Sequence, residues 1–308
     1  MPFFSIIIPL YNKENFIENT LKSVLDQRFT DFEVIIVNDG STDSSEEKVL
    51  KFSDSRIQYY YKENEGVSSA RNYGIGKSKS NYITFIDADD YWYEAFLQEI
   101  FKNINRYPEL KVFSAAIEIE TSKKVIPSSY SIVKTGDYEI VNYFTASLKE
   151  SVICTSCAVF HKSVFEETGN FDINIKSGED IDMWIRVGLF YPILFYWKTL
   201  ARYVFVNDSL SKKDQFSTVK LNFEKYSEQE KTNPNLKKFL DLNRFSLAIK
   251  CKIARDYKLF NHYYKAIDLK KLSHKKRVLL LIPTLLLKPL INLKQFLAEI
   301  GLGSSVFK

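Results

Sequence analysis

Two aspartates at the end of an apolar run are the first residues in the sequence that could do chemistry. Asp87-Ala88-Asp89 follows Tyr82–Ile86, which has the composition of a buried strand. Side chains two residues apart on a strand point to the same side, so both carboxylates could face one cation. Magnesium and manganese take oxygen ligands, commonly one or two carboxylates completed by substrate phosphates. The alternative is a capped turn on an acidic surface, and we expect Asp90 to be a helix N-cap rather than a third ligand.

A second polar segment could contact a nucleotide base. Asp39 lies within Asn38-Asp39-Gly40-Ser41-Thr42-Asp43, directly after the apolar run Phe32–Val37. The segment has the residues of a well-made turn, with Gly40 for the turn and several capping side chains. A carboxylate at the end of a buried strand is costly without a partner. Asp39 could accept a hydrogen bond from the imino N–H of uracil, and guanine offers a similar donor.

The segment Gly66-Val67-Ser68-Ser69-Ala70-Arg71-Asn72 has the pattern of a loop that runs into a helix. Glycine permits close approach of the backbone, and the N-terminus of a helix favours an anion. Arg71 could therefore brace the base-binding carboxylate or a phosphate, for which its fixed fork of donors is suited. It could also be a residue of a surface salt bridge.

A third acidic segment, Gly178-Glu179-Asp180, precedes a predicted helix at Ile181–Leu189. A carboxylate at the start of a helix is commonly a cap or a match to the helix dipole. Sugar transfer with inversion, however, requires a base that removes the proton of the attacking hydroxyl, and Asp180 is our candidate. No acid is needed for the leaving group if a metal and Arg or Lys neutralise the departing diphosphate.

Alternating strands and helices are predicted to position these residues. The predicted strands are Phe4–Ile8, Phe32–Val37, Ile57–Tyr61 and Tyr82–Ile86, and the helices between them are Glu14–Asp26, Ser44–Phe52 and Ser68–Lys77. This order predicts an α/β fold with a mostly parallel central sheet covered by helices. Ligands of such sheets bind at the carboxyl ends of the strands. A polar segment follows each of the four predicted strands: Pro9–Asn12, Asn38–Asp43, Asn64–Val67 and Asp87–Asp90. Less regular elements follow: a helix at Ala95–Ile104, strands at Val112–Ile119 and Lys124–Ile126, and a β-like run at Val152–Phe160.

The net charge of +5 hides an asymmetry along the chain. From residue 212 onward there are 21 Lys and Arg against 8 Asp and Glu, a net charge of +13, which leaves −8 in residues 1–211. A basic segment attracts phosphates of lipid or nucleic acid, whereas the acidic body would bind nucleic acid poorly. The three cysteines suit a reducing compartment, and Cys154-x-x-Cys157 lacks the second pair of a zinc site. No Cys/His or Ser/His/Asp arrangement is legible, and no secretory signal is visible, so we expect a cytoplasmic protein.

The basic region, residues 212–308, is predicted to be helical, with a domain boundary near Ser211. Within it, Lys275-Lys276-Arg277 precedes an apolar run at 278–287, which contains Pro283 and is prevented from extending further by Lys288 and Pro289. The run is about half the length of a membrane-spanning helix. We expect an amphipathic, membrane-associating segment near 275–300, attracted to anionic lipid by its basic flanks. The alternatives are a helix packed on the body or on a second subunit, or a segment that binds duplex nucleic acid.

Taken in order, five motifs resemble those of the family 2 glycosyltransferases. They are Ile6-Ile7-Ile8-Pro9-Leu10-Tyr11-Asn12, Asn38–Asp43, Gly66–Asn72, Asp87–Asp90 and Gly178–Asp180, and the likeness covers residues 3–211. The resemblance implies a GT-A fold, an inverting mechanism and a divalent cation, Mn or Mg. It also implies a nucleotide-diphosphate sugar as donor, most often linked to UDP.

Carried onto this sequence, the resemblance assigns roles to single residues. Those toward the nucleotide are Pro9, Tyr11, Asn12, Asp39, Asn64, Arg71, Asp87 and Asp89. Asp89 would hold the metal, and Asp87 would contact the metal or the ribose. Asp180 would be the catalytic base, and Glu179 and Trp184 would lie on the acceptor side. One position departs from the family: Val206 stands where many members have a histidine, three residues before the Ser209-Leu210-Ser211 segment. The metal shell would then be completed by water and diphosphate.

These observations predict an inverting glycosyltransferase of bacterial surface-polysaccharide type that acts at the inner face of the cell membrane. The acceptor would be a hydroxyl of a glycan or of a lipid-linked oligosaccharide. A nucleotidyltransferase would need a Gly-rich, basic loop after the first strand, where this chain has Leu10-Tyr11-Asn12-Lys13. The remaining alternative is a catalytically silent nucleotide-binding or membrane scaffold protein.

Overall fold

The structure, a computed structural model, describes residues 1–121, 124–204 and 221–299, with side chains as far as residue 293. The strands are β1 (Phe4–Leu10), β2 (Phe32–Asp39), β3 (Ile57–Lys62), β4 (Tyr82–Phe85), β5 (Tyr91–Trp92), β6 (Val112–Glu120), β7 (Val125–Pro127), β8 (Tyr138–Val141), β9 (Ala158–His161) and β10 (Ile193–Val204). The helices before residue 205 are α1 (Ile17–Leu25), α2 (Ser45–Leu50), α3 (Val67–Lys77), α4 (Phe96–Arg106), α5 (Tyr143–Ala146), α6 (Ser163–Thr168) and α7 (Glu179–Phe190). Those after residue 220 are α8 (Ser227–Thr232), α9 (Pro234–Ile253), α10 (Tyr257–Ala266), α11 (His274–Leu281) and α12 (Thr284–Glu299).

These elements form two compact units. The first comprises Met1–Glu120, Val133–Tyr143 and Ser151–Val204, and it contains every residue predicted for the active site. The second comprises Thr121–Ile132, Phe144–Glu150 and, of the described residues beyond 204, residues 221–299. The predicted boundary near Ser211 and the departure at Val206 lie outside the described residues, so the division into 1–211 and 212–308 stays a prediction.

A twisted sheet forms the centre of the first unit, with the strand order β3-β2-β1-β4-β9-β6-β10-β5. The pairs β2–β3, β1–β2 and β1–β4 are parallel, as the alternation of strands and helices predicts. The sheet becomes mixed after β4, because β9 runs antiparallel to both β4 and β6. The carboxyl ends of β1, β2, β3 and β4 therefore lie along one edge, and the polar segments follow them there.

Burial on both faces explains why β1 and β2 read as continuous apolar runs. Every residue of both strands is buried, including all of Phe4–Leu10. Helix α3 packs against β1 and β2. It comes so close that a Cβ on Gly74 would stand 2.4 Å from Cγ2 of Ile7, so only glycine fits there. This close packing sets the height of α3, and with it the position of Arg71 three residues earlier on the helix.

Two expectations for this unit are wrong. Asp90 is not a helix N-cap, because the next helix, α4, begins at Phe96 and the Asp90 side chain is buried below the turn. The run Val152–Phe160 is not one strand: a 3-10 turn at Thr155–Cys157 interrupts it, and β9 begins only at Ala158. This turn brings Ser156 beneath Asp87 and Asp90, where it has a structural role.

The described part of the second unit beyond residue 220 is helical, as expected. Its longest helix, α9, begins with Pro234 and is capped by the Asn233 side chain, which accepts hydrogen bonds from the amides of Asn235 and Leu236. Buried charges on this helix are paired: Arg244 contacts Glu230 at 2.7 Å. Across the described residues, no helix has both the length and the apolar character that crossing a membrane requires.

Candidate active site

The Asp39 carboxylate, at the end of β2, is already surrounded by donors. It accepts hydrogen bonds from Nζ of Lys62 at 2.7 Å, from the amide of Glu65 at 3.1 Å and from the amide of Gly66 at 2.7 Å. The side chain is only 4% exposed. Lys62 and the loop after β3 therefore compensate for the burial of this charge. A carboxylate can accept about four hydrogen bonds, so one position remains for a donor such as a base N–H.

The loops after β1 and β2 are joined by Asn12. Its side-chain oxygen accepts a hydrogen bond from the backbone amide of Thr42 at 2.8 Å, and its backbone amide donates to Oγ of Ser41 at 3.1 Å. Asn12 has a positive φ of 50°, a conformation that asparagine tolerates better than most residues. This fold of the loop leaves the Tyr11 ring 43% exposed at the end of β1. Pro9 is buried in the strand below it.

Asn64 lies against the turn that follows Asp39. Gly40 has a φ of +72°, and a Cβ there would stand 2.9 Å from the amide nitrogen of Asn64. The turn therefore needs glycine both for its left-handed backbone and for the closeness of the loop after β3. The carboxyl edge of the sheet thus brings together the end of β2, at Asp39, and the adjoining loops that carry Tyr11, Asn12 and Asn64.

Arg71 connects two of the predicted acidic residues. Its guanidinium donates to Oδ1 of Asp87 at 2.8 Å and to Oε1 of Glu179 at 2.9 Å, and its side chain is 4% exposed. The group lies 5.2 Å above the ring of Phe171. Burial alone would lower the pKa of Arg71, but the carboxylates of Asp87 and Glu179 raise it above its ordinary value. Arg71 is thus neither a surface residue nor a partner of Asp39; it joins the turn after β4 to the start of α7.

Asp89, the second aspartate of the turn, has a different cation. Its Oδ2 accepts a hydrogen bond from Nζ of Lys13, in the loop after β1. The Asp89 side chain is 13% exposed and that of Lys13 is 25% exposed. Burial raises the pKa of the Asp89 carboxyl, and the Lys13 ammonium works in the opposite direction. Each carboxylate of the Asp87-Ala88-Asp89 turn is therefore neutralised by a cation of the chain itself.

Buried hydroxyl groups hold this turn in place. Oγ1 of Thr20 donates to the carbonyls of Ala88 at 3.0 Å and Asp90 at 2.8 Å. Oγ of Ser156 accepts from the amide of Asp87 at 3.1 Å and donates to the Asp90 carboxylate at 2.5 Å. Asp90 also accepts from the amide of Val204 at 3.0 Å, and burial raises its pKa well above the ordinary value. Asp90 therefore fastens the turn from below and does not point into the site.

Asp180 follows Glu179 at the start of α7. Gly178, with a φ of +81°, turns the chain into the helix. The Asp180 carboxylate accepts from the amide of Ile181 at 2.7 Å, and burial together with the Glu179 charge raises its pKa to about 6, against the lowering effect of Arg71. A carboxyl group with a pKa near neutrality is suited to take up a proton in a reaction.

A supporting layer lies under the start of α7. Trp184 is 1% exposed and stacks on Phe160, with ring centroids 5.1 Å apart. The structure thus gives the Trp184 ring a place in the core, where it has no surface to offer an acceptor. Arg186 donates to the carbonyls of Thr168, Gly169 and Asn170, and Asn72 forms two hydrogen bonds with the backbone of Phe171. These contacts fix the loop that leads into α7.

The donor set at the turn after β4 fits a divalent cation. Asp87 and Asp89 supply hard oxygen ligands, and the Lys13 ammonium on Asp89 is itself a cation held at this place. Within 1–121, 124–204 and 221–299 there is no cluster of three or more His, Cys, Asp or Glu side chains that could hold a metal. A cation here would thus take Asp89 and Asp87 and complete its shell with diphosphate oxygens and water.

The sequence pattern did not indicate several residues that the structure brings to the site. Lys13, Thr20, Lys62 and Ser156 each contact a residue of a predicted motif, but each is a single polar residue without a motif signal. Lys13 lies directly after the first motif, so its proximity to Asn12 could have drawn attention to it. The other three act through tertiary contacts between distant segments, which spacing along the chain cannot indicate.

Among solved structures, the chain is similar to TarS 1–349 of Staphylococcus aureus in complex with UDP. The two share 19% sequence identity with a TM-score of 0.60, over 86% of each chain. At this level of identity the likeness establishes the fold and nothing further. The fold is therefore the α/β GT-A fold, with the helical region after residue 220 as an additional part.

Comparison with curated sequences finds bacterial relatives. Glycosyltransferase GlyA of Streptococcus pneumoniae serotype 4 is 31% identical over 220 residues, which are 68% of this chain and 31% of GlyA. The minor teichoic acid biosynthesis protein GgaB of Bacillus subtilis is 33% identical over 190 residues, 58% of this chain and 20% of GgaB. The matched region thus spans less than a third of the length of GlyA and of GgaB.

A family model gives the assignment. The model described as "Glycosyl transferase family 2" matches residues 5–169, more than half of the chain, and this range contains the loops after β1, β2 and β3, Arg71 and the Asp87-Ala88-Asp89 turn. Glu179 and Asp180 lie beyond the matched range but are joined to it by Arg71. The chain belongs to glycosyl transferase family 2.

Proposed function

We propose that this glycosyltransferase moves a hexosyl or N-acetylhexosaminyl group, with inversion, from a UDP-sugar to a hydroxyl of a glycan or lipid-linked oligosaccharide during synthesis of a cell-surface polysaccharide. The Arg71 bridge carries the proposal. The Arg71 guanidinium binds Asp87, which we place on the donor side, and also Glu179, which directly precedes the proposed catalytic base Asp180. Two similar proteins support the setting: TarS was solved in complex with UDP, and GgaB is a minor teichoic acid biosynthesis protein.

Asp180 is the base in this proposal. Its carboxylate removes the proton of the acceptor hydroxyl as that oxygen attacks the anomeric carbon. The bond from this carbon to the diphosphate oxygen breaks at the same time, and the diphosphate leaves with the electron pair. The pKa of about 6 leaves Asp180 mostly ionised at pH 7 while keeping it basic enough to accept a proton.

The donor would lie along the carboxyl edge of the sheet. Asp39, with one acceptor position remaining, would take the N–H of uracil, and the exposed Tyr11 ring would lie beside the base with Pro9, Asn12 and Asn64. Asp89, together with Asp87, would hold Mn or Mg. The bound cation would neutralise the diphosphate as it leaves, so no protein acid is needed there.

Calorimetric titration of UDP, GDP and dTDP, each with and without Mn²⁺, tests the donor class. We expect UDP to bind most tightly, to bind more tightly with Mn²⁺, and to lose this metal dependence in Asp89→Ala. Asp137→Ala is the matched control, because Asp137 is an exposed aspartate of the same unit. If no nucleotide binds under either condition, the transferase proposal is wrong and the alternative of a silent scaffold protein takes its place.

We also propose that the protein contacts the inner face of the cell membrane through α11 and α12. Five leucines along these helices, here called the exposed leucine face, are 72%, 81%, 61%, 46% and 54% exposed: Leu281, Leu285, Leu286, Leu290 and Leu293. Their neighbours Leu280 and Leu287 are buried, so the helices have an inner and an outer apolar side. The cations of Lys275, Lys276, Arg277 and Lys288 stand in the same segment. This combination suits the headgroup region of an anionic bilayer.

Flotation with lipid vesicles tests this contact. Vesicles with an anionic lipid should carry the full chain to the top of a gradient, and vesicles of phosphatidylcholine alone should carry much less of it. Raising the salt concentration should weaken the binding, because it screens the basic flanks. Self-association in solution with no vesicle binding would instead assign the exposed leucine face to a second copy of the chain. Binding to duplex DNA in preference to anionic vesicles would assign the basic flanks to nucleic acid.

A further inference from the structure

We propose that Lys13 is a built-in counter-cation of Asp89, which a divalent metal ion must displace before it can bind. This inference rests on the proposed function, because it takes Asp89 as the residue that holds the metal. It adds a role for Lys13, namely that its ammonium makes metal binding depend on the nucleotide.

The two cations of the turn differ in how easily they can leave. Arg71 is 4% exposed and contacts two carboxylates, Asp87 and Glu179, so its departure would leave both without their partner. Lys13 is 25% exposed, and Asp89 is the carboxylate it contacts. A lysine ammonium is a single charge on a flexible stem, whereas a guanidinium is a fixed fork. Lys13 is therefore the displaceable cation of the pair.

The backbone on both sides of the contact is fixed, so only the lysine side chain has to move. The turn that carries Asp89 is held by Thr20 at the carbonyls of Ala88 and Asp90. The backbone amide of Lys13 donates to Oγ of Ser45 at 2.8 Å. Displacement would thus be a change of side-chain rotamer, with the Asp89 carboxylate staying in place for the incoming ion.

Competition for one carboxylate lowers the affinity for a free metal ion. Asp89 is 13% exposed, so its carboxylate has little room for an ammonium and a divalent ion at once, and the two cations would repel each other. A nucleotide diphosphate supplies the negative charge that both cations need. Metal and nucleotide should therefore bind with positive coupling, and by linkage each should raise the affinity for the other by the same factor.

Mn²⁺ titration followed by electron paramagnetic resonance tests this role without measuring turnover. The signal of free Mn²⁺ gives the dissociation constant for the full chain, first without nucleotide and then with saturating UDP. In Lys13→Met, we expect Mn²⁺ without nucleotide to bind about tenfold more tightly, the equivalent of about 1.4 kcal/mol. The coupling between Mn²⁺ and UDP should fall by the same factor. Lys13→Arg keeps the cation and should keep the weak binding of free Mn²⁺.

Two further variants assign the effect to this ion pair. Adding Asp89→Asn to Lys13→Met should abolish the gain in Mn²⁺ affinity. Lys79→Met is the matched control, because Lys79 is a lysine of the same unit that pairs with Glu33 at 3.9 Å and is 61% exposed. It should leave the Mn²⁺ affinity unchanged. Circular dichroism confirms that each variant is folded before it is titrated.

The outcomes separate this inference from the proposed function. If UDP binds the wild-type chain with Mn²⁺ but Lys13→Met binds free Mn²⁺ no more tightly, the role of Lys13 is wrong while the donor assignment stands. A weaker affinity for free Mn²⁺ in Lys13→Met would also overturn it. If the wild-type chain binds neither UDP nor Mn²⁺, the proposed function itself is wrong.

Discussion

The acidic residues around Arg71 and the leucines of α11 and α12 both depart from the usual burial of their side chains, but in opposite directions. In the first region charged groups are buried: Asp89 is 13% exposed and Glu179 is 13% exposed. In the second, apolar groups are exposed, with Leu285 at 81%. Buried charges and large exposed apolar patches are the two arrangements that a fold does not need for stability.

The two regions differ in where the compensation comes from. The buried carboxylates have their counter-charges inside the chain, from Arg71 and Lys13, so the region is prepared before a ligand arrives. The exposed leucine face has no apolar cover among the described residues of its own helices. The first arrangement is typical of a catalytic site with shifted pKa values, the second of a docking surface. Each can be disturbed without the other, which gives the following tests.

The largest effect is expected at the base. Asp180→Asn keeps the size of the side chain but removes its ability to accept a proton, so kcat should fall by about 10³ to 10⁴. The affinity for UDP should change little, because the substitution spares Asp39 and Asp89. Release of UDP from a UDP-sugar with a glycan acceptor measures the rate, and calorimetry measures the affinity. Asp137→Asn should keep the wild-type rate, and a wild-type rate in Asp180→Asn would show that the base is another group.

Loss of the Arg71 guanidinium should mainly lower the stability of the fold. Arg71→Met removes a guanidinium that is 4% exposed and leaves Glu179, 13% exposed, and the half-buried Asp87 without their partner, so the free energy of unfolding should fall by about 3 kcal/mol. Urea denaturation measures it. Arg202→Met is the matched control: Arg202 also contacts two carboxylates, Glu118 and Glu120, but it is 30% exposed. That substitution should cost about 1 kcal/mol or less. Equal losses in the two variants would show that burial of the Arg71 cluster has no energetic weight.

The parts of the molecule that can be predicted from its sequence are those that local periodicity determines. The order of β1 to β4 and their helices follows from local periodicity, and the structure confirms it to within one to three residues at most ends. The acidic residues were found because they follow those strands. β10 (Ile193–Val204) was not predicted, because its residues pack in a mixed sheet and show no clean alternation.

Partners within the site were harder to predict than the site itself. Nothing in the spacing of Arg71 indicates whether it faces Asp39, a phosphate or Asp87. The choice depends on α3 approaching β1 closely enough to exclude a Cβ from Gly74, which is a tertiary contact. Asp90 was assigned to a cap for the same reason. Its true partners, Ser156 and the amide of Val204, lie 66 and 114 residues away along the chain.

Substitutions in the exposed leucine face should have the opposite effect to Arg71→Met: they should weaken membrane binding and leave the stability of the fold unchanged. In Leu285→Ser with Leu286→Ser, partitioning onto anionic vesicles should fall about 100-fold, since two buried leucines contribute roughly 3 kcal/mol or more. The free energy of unfolding should stay within about 0.5 kcal/mol of wild type. Leu287→Ala reverses the pattern: Leu287 is fully buried, so it should lose about 2–5 kcal/mol of stability and keep vesicle binding. Vesicle binding that survives the double substitution would show that lipid does not cover this face.

The smallest effect is the response of the base to pH. Burial and Glu179 raise the pKa of Asp180 to about 6, above the ordinary value of 3.8. The protonated form therefore dominates below about pH 6, and kcat/KM should fall about tenfold for each pH unit below that point and stay level above it. Stability should respond to pH in the opposite direction to the rate, rising as the pH falls. The folded state prefers the protonated carboxyl, so Asp180→Asn should be about 1–3 kcal/mol more stable than wild type at pH 7.5, and this difference should vanish as the pH falls to about 4.

The raised pKa of Asp89 could imitate this acid limb, because a protonated Asp89 would release the metal. The kcat/KM for the acceptor should therefore be measured at saturating Mn²⁺ and UDP-sugar, with the affinity for UDP checked at each pH. An acid limb near pH 6 that persists when nucleotide binding is intact assigns the titration to Asp180. A flat profile down to pH 5, or a Asp180→Asn protein no more stable than wild type at pH 7.5, would mean that burial does not perturb this carboxyl. The energetic effect of burying charges in the active site, as opposed to exposing leucines, would then be supported only by the result for Arg71→Met.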